Sequence, residues 1–128
     1  MIIKPTVVLG VSLKSHRYSH LAVHRLKKYN HPILAVGLRS GEVAGEEVIT
    51  FQDAFAKAED HKNKFDTVTL YLSPKRQDQY MAYVVSLQPK RVIFNPGTEN
   101  PEFYKLLKEN NIDFEIACTL VLLGTNQY

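Results

Sequence analysis

The sequence predicts an α/β fold: a mostly parallel sheet of five to six strands in three layers, with helices on both faces. Three observations carry this expectation. Short apolar runs rich in β-branched residues recur along the chain, beginning with Thr6-Val7-Val8-Leu9, and such runs read as strands buried on both faces. Segments with apolar residues at helical spacing separate them. The 128 residues, 45% apolar and 23% charged, suit one domain with a proper core, residues 1–128. Strands alternating with helices imply crossover connections, and hence parallel strands covered on both sides.

The elements follow in order. The stretch Thr6–Ser12 opens on the first strand, Gly10 lets its backbone turn sharply, and a small, polar segment, Leu13–Ser19, follows. Ser19 is the expected N-cap of a helix whose inner face is Ala22, Val23, Leu26 and Tyr29, with Arg25, Lys27 and Lys28 outward. Asn30 ends that helix and Pro32 blocks its continuation. Ile33-Leu34-Ala35-Val36 is a second strand broken by Gly37, and 38–47 reads as loop, with Val48-Ile49 a candidate edge strand. Thr50 and Asp53 resemble a capping box, and Phe51, Ala54, Phe55 and Ala58 keep helical spacing. A polar loop over 60–66 precedes the strand Thr67–Leu72, stopped by Ser73-Pro74. Tyr80, Met81, Val84, Val85 and Gln88 mark the inner side of the next helix, closed by Pro89. Arg91–Phe94 is a strand, and Asn95-Pro96-Gly97-Thr98 a turn. Asn100 and Pro101 read as N-cap and first residue of a helix carrying Phe103, Leu106 and Leu107 inward. Ile112–Ile116 is the last strand, and Cys118–Leu123 a short closing segment read as helical.

Composition narrows the function. No apolar run approaches the roughly 20 residues that span a bilayer, and the start Met1-Ile2-Ile3-Lys4-Pro5 lacks the apolar core of a secretory leader. One cysteine, Cys118, excludes an internal disulfide and fits the reducing cytoplasm. A net charge of +3, without a basic stripe interleaved with aromatics, argues against nucleic acid.

In parallel α/β sheets, ligands bind outside the carboxyl ends of the strands, where the strand order reverses. The turns that matter are therefore Gly10–Tyr18, Gly37–Gly41, Ser73–Arg76 and Asn95–Thr98. A strand, a small-residue turn and a helix start make an anion cradle, because unpaired N–H groups and the helix dipole face the turn. The dinucleotide fingerprint G-x-G-x-x-G wants three glycines, and only Gly10 is here. The turns hold Lys14, Arg17, Arg39, Lys75 and Arg76, a set suited to a polyphosphate, although scattered solvated lysines would look similar. After the second strand, Val36-Gly37-Leu38-Arg39 shows an arginine where an NAD site has an acid gripping the ribose. An arginine there suits a phosphorylated ribose, as in NADP or coenzyme A.

Taken in order, Val8-Leu9-Gly10-Val11-Ser12, Arg17-Tyr18-Ser19, the 39–45 stretch, Asn95-Pro96-Gly97-Thr98-Glu99-Asn100 and Cys118-Thr119-Leu120-Val121-Leu122-Leu123 form a familiar set. The chain resembles the small CoA-binding domain proteins, akin to the N-terminal domain of the succinyl-CoA synthetase alpha subunit. The resemblance implies a Rossmann-like fold holding the nucleotide end of CoA or an acyl-CoA across the turns after the first, second and fourth strands. It places Gly10 and Ser12, with Val11, along the pantetheine and diphosphate, beside Lys14, Arg17, Tyr18 and Ser19. Arg39 would face the ribose phosphate, and Ser73, Pro74, Pro96 and Gly97 would line the remaining wall. The chain departs from the family pattern at Gly37-Leu38, where Asn-Pro is frequent, and at Ser73-Pro74, where an arginine often stands.

Other residues attract attention and carry less. His16, His20 and His24 are spaced four apart, but no H-E-x-x-H pattern or further ligand accompanies them, so no metal is expected. Cys118 among Ile116, Ala117 and Leu120 reads as a buried small hydrophobe rather than a nucleophile. Glu99 and Glu102 fit the start of a helix, where the dipole favours acids, and no catalytic residue is assigned. The expectation is a cytoplasmic protein that binds CoA without chemistry of its own and touches neither nucleic acid nor membrane. The competing readings are an NADP-linked or acyl-CoA-handling enzyme completed by a homo-oligomer, and a nucleotide-sensing module that regulates a protein partner.

Overall fold

The computed structural model describes residues 2–128, so Met1, where the leader reading begins, lies outside it. Seven strands form one sheet: β1 (Thr6–Val11), β2 (Ile33–Gly37), β3 (Gly41–Val43), β4 (Glu46–Thr50), β5 (Thr67–Leu70), β6 (Arg91–Phe94) and β7 (Asp113–Ile116). Their order is β3-β4-β2-β1-β5-β6-β7, and every neighbouring pair is parallel except β3 with β4. The helices are α1 (Tyr18–Lys28), α2 (Phe51–Ala56), α3 (Ala58–His61), α4 (Pro74–Leu87), α5 (Pro101–Glu109) and α6 (Thr119–Gly124). The mostly parallel α/β architecture is the expected one. Among the described residues no helix is long and apolar enough to cross a membrane.

Two cores, one on each face, explain the layers. Val7, Leu9, Val68, Leu70, Val92 and Phe94 point to the face covered by α2, α4 and α5, where Ala54, Tyr83, Leu87, Phe103 and Leu107 meet them. Val8, Ala35, Val48 and Ile93 point to the other face, against Val23 and Leu26 of α1 and Leu123 of α6. Strict alternation would turn Val11 to the face of Val7 and Leu9, yet it packs with Val8. The register of β1 against β2 slips between Leu9 and Val11, and Gly10 sits there at φ +101°. This is a bulge: one extra residue flips the alternation and bends the strand end. A Cβ on Gly10 would lie 3.1 Å from the Leu72 side chain and 3.2 Å from the Tyr71 backbone. The glycine is therefore required by the fold itself, whatever binds beside it.

The strand count exceeds the expected five to six because, within the expected loop 38–47, residues 41–43 and 46–47 are strand. Ala44 (φ +54°) and Gly45 (φ +79°) form a two-residue turn that pairs Gly41–Val43 antiparallel with Glu46–Val48. The hairpin puts β3 at the edge and β4 inside the sheet, with Val48 fully buried. Lys27 of α1 donates to the Ala44 carbonyl and ties the turn down. Within the expected polar loop 60–66, residues to His61 belong to α3.

Helix details also differ. Ser19 is not the cap of α1; Arg17 is, without a side-chain bond, and Ser19 lies in the first turn with its Oγ accepting from Ser12 N–H at 3.0 Å. Asn100 occupies the N-cap of α5, but its side chain donates to Gln77 Oε1 instead. The buried side of α4 is Gln77, Tyr80, Tyr83, Val84 and Leu87, while Met81 and Val85 are half-buried and Gln88 is a left-handed C-cap. Thr50 does cap α2, accepting from Asp53 N–H at 3.3 Å.

At the opposite end of the sheet, Tyr128 is buried, its hydroxyl paired with Thr6 Oγ1 at 2.6 Å and its ring 4.9 Å from that of His31. His31 Nδ1 accepts from Lys4 N–H at 3.0 Å, so that nitrogen carries no proton in the fold. Burial first, then the Lys4 and Arg91 charges, hold His31 below its ordinary value, and burial does the same to His61. The unfolded chain binds these protons near pH ~6.5 while the folded chain resists them, so stability falls as pH drops below that value. Melting curves between about pH 7 and 5 should show this fall, and it should be shallower in His31→Gln. Equal slopes in the two proteins would remove His31 from the account.

Candidate functional site

Strand β1 is flanked by β2 on one side and β5 on the other, so the chain reverses direction across the sheet at β1. A crevice opens at such a reversal, between the turns that leave the carboxyl ends of the strands. Here it is a cleft of about 630 Å³. From β1 it takes Gly10, Val11, Ser12, Leu13 and Lys14, then Arg17 and Ser19 at the start of α1. From β2 it takes Leu38 and Arg39, and from β5 and α4 Tyr71, Leu72, Ser73, Arg76 and Tyr80. Four of these residues are cationic and none is acidic.

The β1–α1 turn is held by its own side chains. Ser19 Oγ accepts from Ser12 N–H, and Ser12 Oγ accepts from Lys14 N–H at 3.1 Å. His20 Nδ1 lies 3.0 Å from the Ser12 carbonyl, which can only accept, so Nδ1 carries the ring proton. Both backbone groups of Ser12 are thus occupied within the turn. Beyond it, α1 begins with no side-chain cap and no acidic residue in its first turn. An uncapped helix start presents N–H groups and a positive dipole end, which favours an anion. Helix α4 also starts without a side-chain cap or an acid, with Arg76 in its first turn.

The walls differ in character. Tyr71, Leu72 and Tyr80 form the inner apolar side, Tyr80 backed by the Phe51 ring at 3.8 Å between centroids, and the exposed Leu13 and Leu38 add to the apolar lining. Burial pushes the Tyr71 hydroxyl well above the usual phenol range, and raises Tyr80 against the opposing pull of Arg76. Both phenols therefore stay protonated at neutral pH. Past Leu72 the structure is closed by a buried polar network. Gln77 Nε2 donates to the Leu72 carbonyl at 2.8 Å and the Thr98 carbonyl at 2.7 Å. Asn95 Nδ2 donates to Thr69 Oγ1 and the Leu70 carbonyl, and its Oδ1 accepts from Thr119 N–H.

Of the residues singled out in sequence, Gly10, Val11, Ser12, Lys14, Arg17, Ser19, Arg39 and Ser73 come together in the cleft. Tyr18, Pro74, Pro96 and Gly97 are not in its lining; Tyr18 is 73% exposed and a Cβ on Gly97 would meet nothing within 4 Å. Lys75 is absent from it too. Sequence reasoning passed over Leu13, Leu38, Tyr71, Leu72 and Tyr80 as site residues. Arg76 and Tyr80, one helical turn apart, share a face, which was a usable signal. Cys118 is half-buried rather than buried, because Ile116 beside it is exposed at the end of edge strand β7. The rings of His20 and His24 lie 5.2 Å apart, and no cluster of three metal-ligating side chains occurs among the described residues.

A larger cleft, about 830 Å³, lies at the amino ends of the strands between Lys4, Lys90, Arg91, Asp66, Asp113 and Glu115. Its charges are mixed, with Arg91 Nη1 paired to Glu115 at 2.8 Å, and it borders no helix start at a strand reversal. Chemistry favours the smaller cleft over the larger one.

A family model for the CoA binding domain matches residues 4–124. The chain belongs to the CoA-binding domain family. Its similarity to one crystal structure, of an uncharacterized protein, extends over 100% of both chains at 41% identity, with a TM-score of 0.89. A Thermus thermophilus structure, cell-free ID.343, shares the fold at 23% identity and TM-score 0.79, covering 98% of this chain and 91% of that one. A hypothetical protein from Pyrococcus horikoshii OT3 does so at 21% and 0.80, covering 96% and 83%. No curated protein matches. In this member of the CoA-binding domain family, the bulge at Gly10 and the uncapped start of α1 lie together on the cleft.

Proposed function

We propose that this chain binds coenzyme A in the cleft at the carboxyl ends of β1, β2 and β5, as a binding protein without chemistry of its own. The observation that carries the reading is the lining: Lys14, Arg17, Arg39 and Arg76, no carboxylate, and an uncapped helix start beside them. The diphosphate sits at the start of α1 against Lys14, Arg17 and Ser12, with Gly10, Val11 and Ser19 beneath it. Arg39 takes the ribose phosphate, and Ser73 and Tyr80 lie along the pantetheine.

Calorimetry with CoA, dephospho-CoA and NADP tests this. Arg39 is exposed, so its charge-assisted bond is screened, and loss of the ribose phosphate should weaken binding by about tenfold. Arg39→Ala should bring CoA and dephospho-CoA to the same affinity, and added salt should weaken binding of CoA to the unmodified chain. Equal affinity for the two ligands without any mutation would remove Arg39 from its role, and tighter NADP binding would overturn the ligand.

A further inference from the structure

Among the described residues, the apolar side of the cleft ends inward at tightly packed side chains, Leu72, 6% exposed, and Tyr80, 3% exposed, while Leu13 and Leu38, which also line it, are 40% and 65% exposed. Behind Tyr80 stands the Phe51 ring, with Tyr83 at 6.3 Å from that ring. Leu72 is packed against the bulge, its side chain already 3.1 Å from the position a Gly10 Cβ would take. Toward β6 the way is shut by polar groups rather than by a movable side chain: Asn95, Thr98, Asn100 and Gln77 are all buried and bonded, with Gln77 spanning from Leu72 to Thr98. The other cleft opens at the amino ends of the strands.

Volume points the same way. Sites for drug-sized ligands, smaller than CoA, run from about 300 to 1,000 Å³. A cleft of about 630 Å³ is committed once the nucleotide, diphosphate and pantetheine are in it. We infer, resting on the function proposed above, that the site grips the coenzyme and leaves whatever is attached to its sulfur in solvent. It therefore takes free CoA and its acyl thioesters alike, and does not read the acyl group.

The inference makes a quantitative demand. Each methylene moved from water into an apolar recess improves affinity roughly fourfold, so full burial of the six extra methylenes of an octanoyl chain would favour octanoyl-CoA over acetyl-CoA by roughly 4,000-fold. A chain left in water gains nothing. Dissociation constants for CoA, acetyl-CoA and octanoyl-CoA, measured on the full chain at one salt concentration, should agree within about threefold. Octanoyl-CoA binding more than about tenfold tighter would reveal a recess and overturn the inference. A thioester binding about tenfold weaker than CoA would show the sulfur enclosed, and would overturn it equally. Failure of CoA itself to bind is a separate result, visible in the first titration, and sinks the proposed function together with this extension of it.

Discussion

Asn95→Leu is expected to cost about 2–6 kcal/mol of folding stability. The side chain is 2% exposed and makes three bonds: to Thr69 Oγ1 at 2.7 Å, to the Leu70 carbonyl at 2.9 Å, and from Thr119 N–H at 2.8 Å. Leucine fills a similar volume but answers none of them. Thr69 Oγ1 keeps its partner in Thr119 Oγ1 at 2.7 Å, so it is not stranded. The Thr119 amide and the Leu70 carbonyl each lose a bond in a place closed to water, at about 1–3 kcal/mol apiece. Denaturant unfolding of the variant and the parent protein measures the difference. A loss below about 1 kcal/mol would mean the network is incidental, and that the wall beyond Leu72 is not the rigid one described above.

Asn95 also shows where sequence reading stops. Its position after β6 and the Asn-Pro-Gly-Thr turn were legible, because turn residues announce themselves locally. Its bonds to Thr69 and Thr119 join residues 26 and 24 positions away, and no local pattern encodes such pairs. The same division holds elsewhere. The inner face of α1 was readable from its helical spacing, and the presence of β1 and β5 from their short apolar runs. The β3–β4 hairpin was not, since Ala44 takes the left-handed turn position where Asn or Asp usually signals one. Ser19 looked like a cap because it is a serine before an apolar helix face, but the first turn of α1 begins earlier and the hydroxyl bonds back to Ser12. Half the cleft was legible as cations and glycine in turns. The apolar half was not, since Tyr71, Leu72 and Tyr80 look in sequence like any core residues, and only the bulge and the strand reversal expose them to the cleft.

Arg17→Glu should separate binding from stability. Arg17 is the N-cap residue of α1, lines the cleft and is exposed, with its backbone N–H bonded to the Lys14 carbonyl at 3.1 Å. Its side chain caps nothing, so the fold does not depend on it. A glutamate at a helix start interacts favourably with the dipole, by about 0.3–1 kcal/mol, and the first turn of α1 holds no acid that would repel it. Folding stability should therefore hold or rise slightly. For a bound diphosphate the same change removes a cation and installs an anion in its place. The lost charge-assisted bond and the new repulsion together should weaken CoA binding by about a hundredfold at low salt, and by less as salt screens both. Arg17→Gln, which loses the cation without adding repulsion, should fall between the two. The signature is opposite movement, with melting temperature steady or higher and affinity lower. If Arg17→Glu binds CoA as well as the parent protein, the diphosphate is not at the start of α1, and the site must be rebuilt around Arg39 and Arg76.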